Sequence, residues 1–402
     1  MKSLLYIIVG FLLMFISCKK DKPETKLGKI DITDAYSLAL CYNDSVGSNP
    51  FDSLKLYKII TDDKLYYVRH YNEDGAFLGF TYQSVAMYDL NKKYFLYVVA
   101  KNGSVNTETY LINKADGTAQ EVRDFDLPRI NNGYWDVNQS NHVFIEANPA
   151  NYYYVGNNSI NSLTFDQANY PVAANKAAFS RNFDIDTLGN VLAGGILLFK
   201  DGTSQTISEI DDNTIVSRNT KQGFYTIKAG TSDVQISNIN IADNNYTVAP
   251  KGTINESVSS WKYLGNASFK SSNSIVLVYD LGLIYIDNTT QKVFPLSSFS
   301  LTRINSFSQS NTYLFVNGKN TLQNEVMLKI NPQAGTPTFS HIMVPERYHY
   351  YLYQVDDNSN FSFYARDNVE SADIIGYISS AQYVNILDNN QRLVPRQILS
   401  IK

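Results

Sequence analysis

The strongest constraint on this chain is a recurring segment. An apolar run of β-branched and aromatic residues leads into a turn of Asn, Asp or Gly, followed by a strand that begins polar. It appears at residues 68–75, 110–117, 152–158, 197–202, 239–244, 283–288, 327–335 and 384–389. Measured between the last residues of successive segments, the spacings are 42, 41, 44, 42, 44, 47 and 54. Asn and Gly suit these turns because both tolerate positive φ.

One hairpin says little, but a period in the forties built from about four short strands is the signature of a β-propeller blade. The intervals divide consistently. Between Gly202 and Asn244 the strands read 204–210, 213–218, 224–228 and 234–242; between Asn288 and Gly335 they read 292–296, 301–307, 312–316 and 325–330. Between Gly75 and Gly117 they read 76–82, 84–90, 94–100 and 107–112. Each interval thus runs through an outer strand, then three inner ones. The expected fold is all-β: a β-propeller with four short antiparallel strands per blade and eight blades, or seven if one turn is an ordinary hairpin. Such blades bury both faces against their neighbours and expose only short edges. A pair of β-sandwiches and an irregular β-solenoid are the alternatives. The likeness to propeller families covers most of residues 30–402, read as one domain, and is architectural. The chain has no Gly-His and Trp-Asp pair of the WD type, no Asp-box and no kelch double glycine at matching places.

Composition agrees with a packed β protein. Hydrophobic residues make up 44% of the 402, with 30 Tyr and 21 Phe, which is enough to bury a core. Charged residues are 18%, against about 25% in ordinary soluble proteins, and the formal net charge is −4. Without a basic excess to neutralise phosphates, nucleic acid is not an expected partner.

The N-terminus has a different character. Lys2 precedes an apolar run from Leu4 to Ile16, then Ser17 and Cys18. The run is short for a permanent span and fits the h-region of a secretory signal; a retained anchor helix is the alternative. Ser17 before Cys18 resembles the lipobox of bacterial lipoproteins, with Phe15 where Leu is usual. The resemblance implies cleavage after Ser17, so that 1–17 is the signal peptide, with lipid on the Cys18 sulfur and an acyl group on its new amine. Two acyl signals make anchoring stable. Residues 18–29 would then be the lipidated Cys and a polar tether. The Cys-Lys-Lys-Asp-Lys start looks like lipoproteins of the Bacteroidota type, some of which carry a charged tag for export to the cell surface. It implies lipid anchoring at the outer membrane, on its periplasmic or surface face. With Cys18 lipidated, Cys41 has no disulfide partner and reads as a buried thiol in the apolar run 37–42.

Motifs for chemistry are sparse. There is no His-Glu-x-x-His or Cys-x-x-Cys, and His70, His142, His341 and His349 are scattered, so neither a metal nor a cofactor is expected. No glycine-rich nucleotide loop and no Gly-x-Ser-x-Gly elbow occurs, and Ser259 to Lys262 matches Ser-x-x-Lys without the helix that pattern needs. Four acidic pairs remain: Asp124 and Asp126, Asp184 and Asp186, Asp211 and Asp212, Asp356 and Asp357. They could serve as general acid and base, as calcium ligands, or simply as caps on turns.

The distinctive local feature is aromatic. Residues 345–353 gather Arg347, Tyr348, His349, Tyr350, Tyr351 and Tyr353 in the longest interval, in the connection from an outer strand to the next inner one. Residues 126–136 hold Arg129 and Trp135 in an equivalent connection, and 255–263 hold Trp261. Arg181 and Arg303 lie near inner strands. These nine residues, Arg129, Trp135, Arg181, Trp261, Arg303, Arg347, Tyr348, His349 and Tyr350, are the candidate ligand-binding set. Flat rings beside guanidinium groups suit a glycan or other ring-bearing nutrient, and equally a protein hot spot. The alternative is that the rings fill space between blades. The functional expectation is a non-catalytic, membrane-anchored lipoprotein whose channel face binds such a ligand or a protein partner, accessory to an outer-membrane transporter. A glycoside hydrolase or lyase with carboxylates at the channel, and a structural scaffold of an envelope complex, are the rivals.

Overall fold

The repeat becomes eight four-stranded antiparallel sheets in the computed structural model. It describes residues 26–401 apart from 44–53, 61–63, 80–81, 91–92, 102–106, 122–134, 138–141, 146–149, 157–158, 166–182, 212, 220–222, 270, 343, 380–383 and 389–392. Blades two to eight begin with the innermost strands Tyr82–Asp89, Trp135–Val137, Phe183–Ile185, Thr214–Arg218, Tyr263–Phe269, Leu301–Gln309 and Tyr348–Val355. Each is followed outward by three more strands in chain order. Blade one is assembled from both ends of the chain. Its innermost strand is Leu393–Ser400, paired with Ser37–Asn43 so that Ser37 faces Ser400, and Lys55–Ile59 and Leu65–Tyr67 complete it. That pairing closes the ring, and the last strand contacts the innermost strands of both blade eight and blade two.

Blade six shows why these sequences fold this way. Ser274–Tyr279 and Gly282–Ile286 are buried at every position. Along the first, Ile275, Leu277 and Tyr279 pack with Ile215, Ile227 and Ile236 of blade five. The alternate residues Val276 and Val278 pack with Ile304, Val316 and Leu328 of blade seven. A strand covered on both faces favours apolar residues throughout, and from Ile275 to Tyr279 this one is a continuous hydrophobic run. Each such Ile, Leu or Val contributes roughly 1.5–3 kcal/mol by leaving water.

Two of the eight turns have another role. Gly75 lies outside the blades, in an annex where His70–Asn72 pairs with Leu27–Ile30, and residues 76–79 form no outer strand. The segment 384–388 is itself the outermost strand of blade eight, and Asn389 lies outside the described residues. The third-to-fourth-strand connections of blades one and eight instead fall between Ile59 and Leu65 and between Ile378 and Val384. The second stretch contains no Gly, Asn or Asp, and the first carries only the pair Asp62 and Asp63. Two missed connections replace two misplaced ones, so the count of eight stands.

Residues 26–29, read from sequence as the end of the tether, are folded. Ile30 N donates to Gly117 O at 2.9 Å, and Lys26 pairs with Glu121. Residues 1–25, with Cys18, lie outside the described residues. Among the described residues no helix is long and apolar enough to cross a membrane.

Candidate functional site

In an antiparallel blade, the turn between second and third strands lies at the same end as the link from the outermost strand to the next blade. We term this the upper end; the other two turns of each blade lie at the lower end. The candidates in links or at the start of innermost strands therefore belong to the upper end. Arg129 and Arg181 lie outside the described residues. Trp135 opens the innermost strand of blade three, and its side chain is likewise outside the description.

Residues 345–353 divide into an inward and an outward set. Tyr348 and Tyr350 are buried with Phe361 and Phe363; the Tyr350 ring stands edge-on to Phe363 at 5.3 Å, and its hydroxyl donates to Pro345 O at 3.1 Å. They are core residues of blade eight. Arg347 is half-exposed, its Nη2 lying 2.8 Å from Asp367 Oδ2 and its guanidinium 5.2 Å from the Tyr348 ring centre. His349 Nδ1 lies 2.9 Å from Glu325 Oε1, a buried carboxylate of blade seven. The strand carries a bulge between Tyr350 and Leu352, where its pairing with the next strand shifts by one residue. The extra residue, Tyr351, is 48% exposed. It meets His349 edge-on at 5.2 Å and Tyr364 at 5.3 Å. Bulges re-aim side chains in this way.

Trp261 has a packing role. Its ring is half-buried between blades five and six, 5.9 Å from Tyr279, and occupies the space a side chain on Gly282 would need. Arg303 is exposed near the start of blade seven's innermost strand. Sequence reasoning missed three further upper-end residues. Leu281, Leu322 and Val369 sit in the second-to-third-strand turns of blades six, seven and eight, 37%, 77% and 70% exposed. The available signal was a lone large aliphatic residue within a polar turn.

Side-chain amides link the innermost strands. Gln354 of blade eight accepts from Ser400 N at 2.8 Å, Gln397 accepts from Met87 N at 2.7 Å, and Gln309 donates to Ser268 O at 3.3 Å. The acidic pairs serve turns and neighbouring strands. Asp186 accepts from the amides of Leu188, Asn190 and Gly223 and from the Asn190 side chain. Burial pushes its carboxyl above the usual range while those bonds oppose the shift. Asp184 Oδ1 pairs with Arg218 Nε at 2.8 Å, Asp356 caps the turn to Asn360, and Asp211 accepts from Thr214. Asp357 accepts from Thr312 N. Asp124, Asp126 and Asp212 lie outside the described residues. Among the described residues no three His, Cys, Asp or Glu side chains are grouped to hold a metal ion.

No protein-family model and no curated protein matches this sequence. Solved structures similar to it are propellers. A quinoprotein alcohol dehydrogenase-like protein from Bacteroides thetaiotaomicron is 12% identical, with 92% of this chain and 79% of that one covered and a TM-score of 0.39. Apo AztD from Citrobacter koseri is 11% identical, covering 91% and 95%, with a TM-score of 0.45. The WD40 domain of SCAP from fission yeast is 8% identical, covering 76% and 85%, with a TM-score of 0.41. The fold defines the class: an all-β propeller with eight four-stranded blades. None of these similarities assigns an activity to this chain, because function resides in sites rather than folds.

Proposed function

We propose that this protein is a lipid-anchored, non-catalytic propeller that captures a protein partner through its upper end. The observation that carries the reading is the exposure, on three successive blades, of Leu281, Leu322 and Val369 in upper-end turns, with Tyr351 beside His349 on the innermost strand of blade eight and Arg347 just before that strand. Projecting apolar tips suit a protein surface, whereas small ligands favour concavities. Tyr351 and Arg347 are of the residue types that dominate protein hot spots. The lipobox resemblance at Cys18 adds the membrane, and anchoring raises the effective concentration near a partner there. On this reading the partner is an outer-membrane transporter, with the propeller on the periplasmic or surface side.

The hydrolase reading is disfavoured by Asp184 and Asp186, whose carboxylate oxygens are occupied by backbone amides, an asparagine side chain and Arg218. The test is a photo-cross-linking residue at position 322 in intact cells. Capture predicts one dominant envelope-protein adduct, lost with Tyr351→Ala and Val369→Asp. Adducts that are absent, or that persist in both variants, would refute it and favour the scaffold. Labelled palmitate incorporated by the wild type and lost with Cys18→Ala is the expected result for the anchor.

A further inference from the structure

A cleft of about 830 Å³ lies on blade one, between its outermost strand and the annex, and shares no lining residue with the proposed capture face. We propose that it binds a short neutral oligosaccharide. This inference is independent of the capture reading.

The first support is Phe77, 54% exposed at the rim. Its position is fixed by a hydrogen-bonded hairpin. Asn72 Oδ1 accepts from Ala76 N at 2.7 Å, Asn72 N donates to Ala76 O at 2.9 Å, and Leu78 N donates to His70 O at 2.9 Å. Leu78 packs into the core, so alternation turns Phe77 outward. Tyr71 stands beside it, ring centres 6.1 Å apart, and Tyr66 and Tyr67 line the same cleft. Aromatic faces of this kind accept the C–H face of a sugar ring, burying apolar surface while leaving its hydroxyls free.

The second support is charge. Lys58, buried at the base, lies 3.2 Å from Asp31 Oδ2 and 2.6 Å from Asp34 Oδ1, whose side chains are 38% and 54% exposed. Arg69 is exposed on the same lining. Two carboxylates balance two cations, so the cleft offers no net attraction to an ion. An apolar guest would cover these charges without returning hydrogen bonds. Sugar hydroxyls do return them, donating to Asp31 and Asp34 and accepting from Arg69. The volume lies within the range of about 300–1,000 Å³ typical of small-molecule sites.

The test is calorimetric titration of the full-length protein, in detergent, with cello-, malto-, xylo- and manno-oligosaccharides, with oligogalacturonate as the acidic control. At least one neutral series is expected to bind. Phe77→Ala should weaken that binding about tenfold and Arg69→Ala several-fold. Tyr351→Ala should leave it unchanged, which separates this site from the capture face. Both cleft residues are exposed, so unchanged thermal melting is the expected folding control. No binding by any neutral series, a preference for oligogalacturonate, or full binding by both Phe77→Ala and Arg69→Ala would overturn the proposal.

Discussion

The backbone amide of Gly223 donates to Oδ2 of Asp186 across 3.0 Å, tying a lower-end turn of blade five to one of blade four. Gly335 N makes the same kind of bond to Asp287, and Thr312 N to Asp357. Asp186 and Asp357, candidates for chemistry by sequence, thus hold adjacent blades together, as Asp287 does. Asp186→Ala should therefore destabilise the fold by roughly 2–4 kcal/mol, since it strips a buried turn of acceptors and leaves amides unpaired. Urea unfolding checks this; a midpoint within error of the wild type would remove the stapling role.

Gly117 marks the attachment of the N-terminal strand. Its φ is +74°, and any side chain there would collide with Ile30 O, while its own carbonyl accepts from Ile30 N. Gly117→Ala is expected to cost about 1–3 kcal/mol and to loosen Leu27–Ile30 first. Hydrogen exchange reads this directly: protection at Ile30 and Asp31 should fall while that of Ser274–Tyr279 persists.

His70 is buried in a polar chain, with Nε2 2.8 Å from the Tyr97 hydroxyl, itself 2.5 Å from Ser84 Oγ. Burial lowers its pKa from 6.5 to about 4, so the folded state favours the neutral ring. The unfolded chain takes up the proton first as pH falls below about 6.5. The stability linked to His70 is thus complete above pH 6.5 and lost progressively down to about pH 4, a difference of roughly 3 kcal/mol. Denaturation midpoints from pH 7 to 4.5 should show the decline, and His70→Gln should flatten it. Equal slopes in the two proteins would contradict the assignment.

Cys41 lies in the interface between blades one and eight, fully buried, where desolvation pushes its thiol far above the ordinary range. Iodoacetamide at pH 8 should leave it unmodified in the native protein and alkylate it in urea. Rapid native labelling would mean that this interface opens.

Much of the architecture was legible because the cues are local. The strands of blades five and seven were read within a few residues, since strand length, turn residue and apolar run lie close together in the chain. What failed has a common cause. The partnership of Leu393–Ser400 with Ser37–Asn43 joins opposite ends of the chain, and no short window contains it. The annex took Gly75 from the ring in the same way, by pairing His70–Asn72 with Leu27–Ile30. In the candidate site, the run from Arg347 to Tyr351 is visibly aromatic in the sequence. Its division into buried Tyr348 and Tyr350 and exposed Tyr351 depends on one bulge, which is a property of register between strands.

An all-β ring of repeated four-stranded units is written in local cues, because hydrophobic period and turn chemistry act over a few residues. Which rings meet solvent, which acids are occupied by turns, and the tyrosine-lined cleft of blade one emerge only when the blades pack. Those outcomes depend on distances between side chains far apart in the chain, such as Phe77 and Asp31, and packing alone sets them.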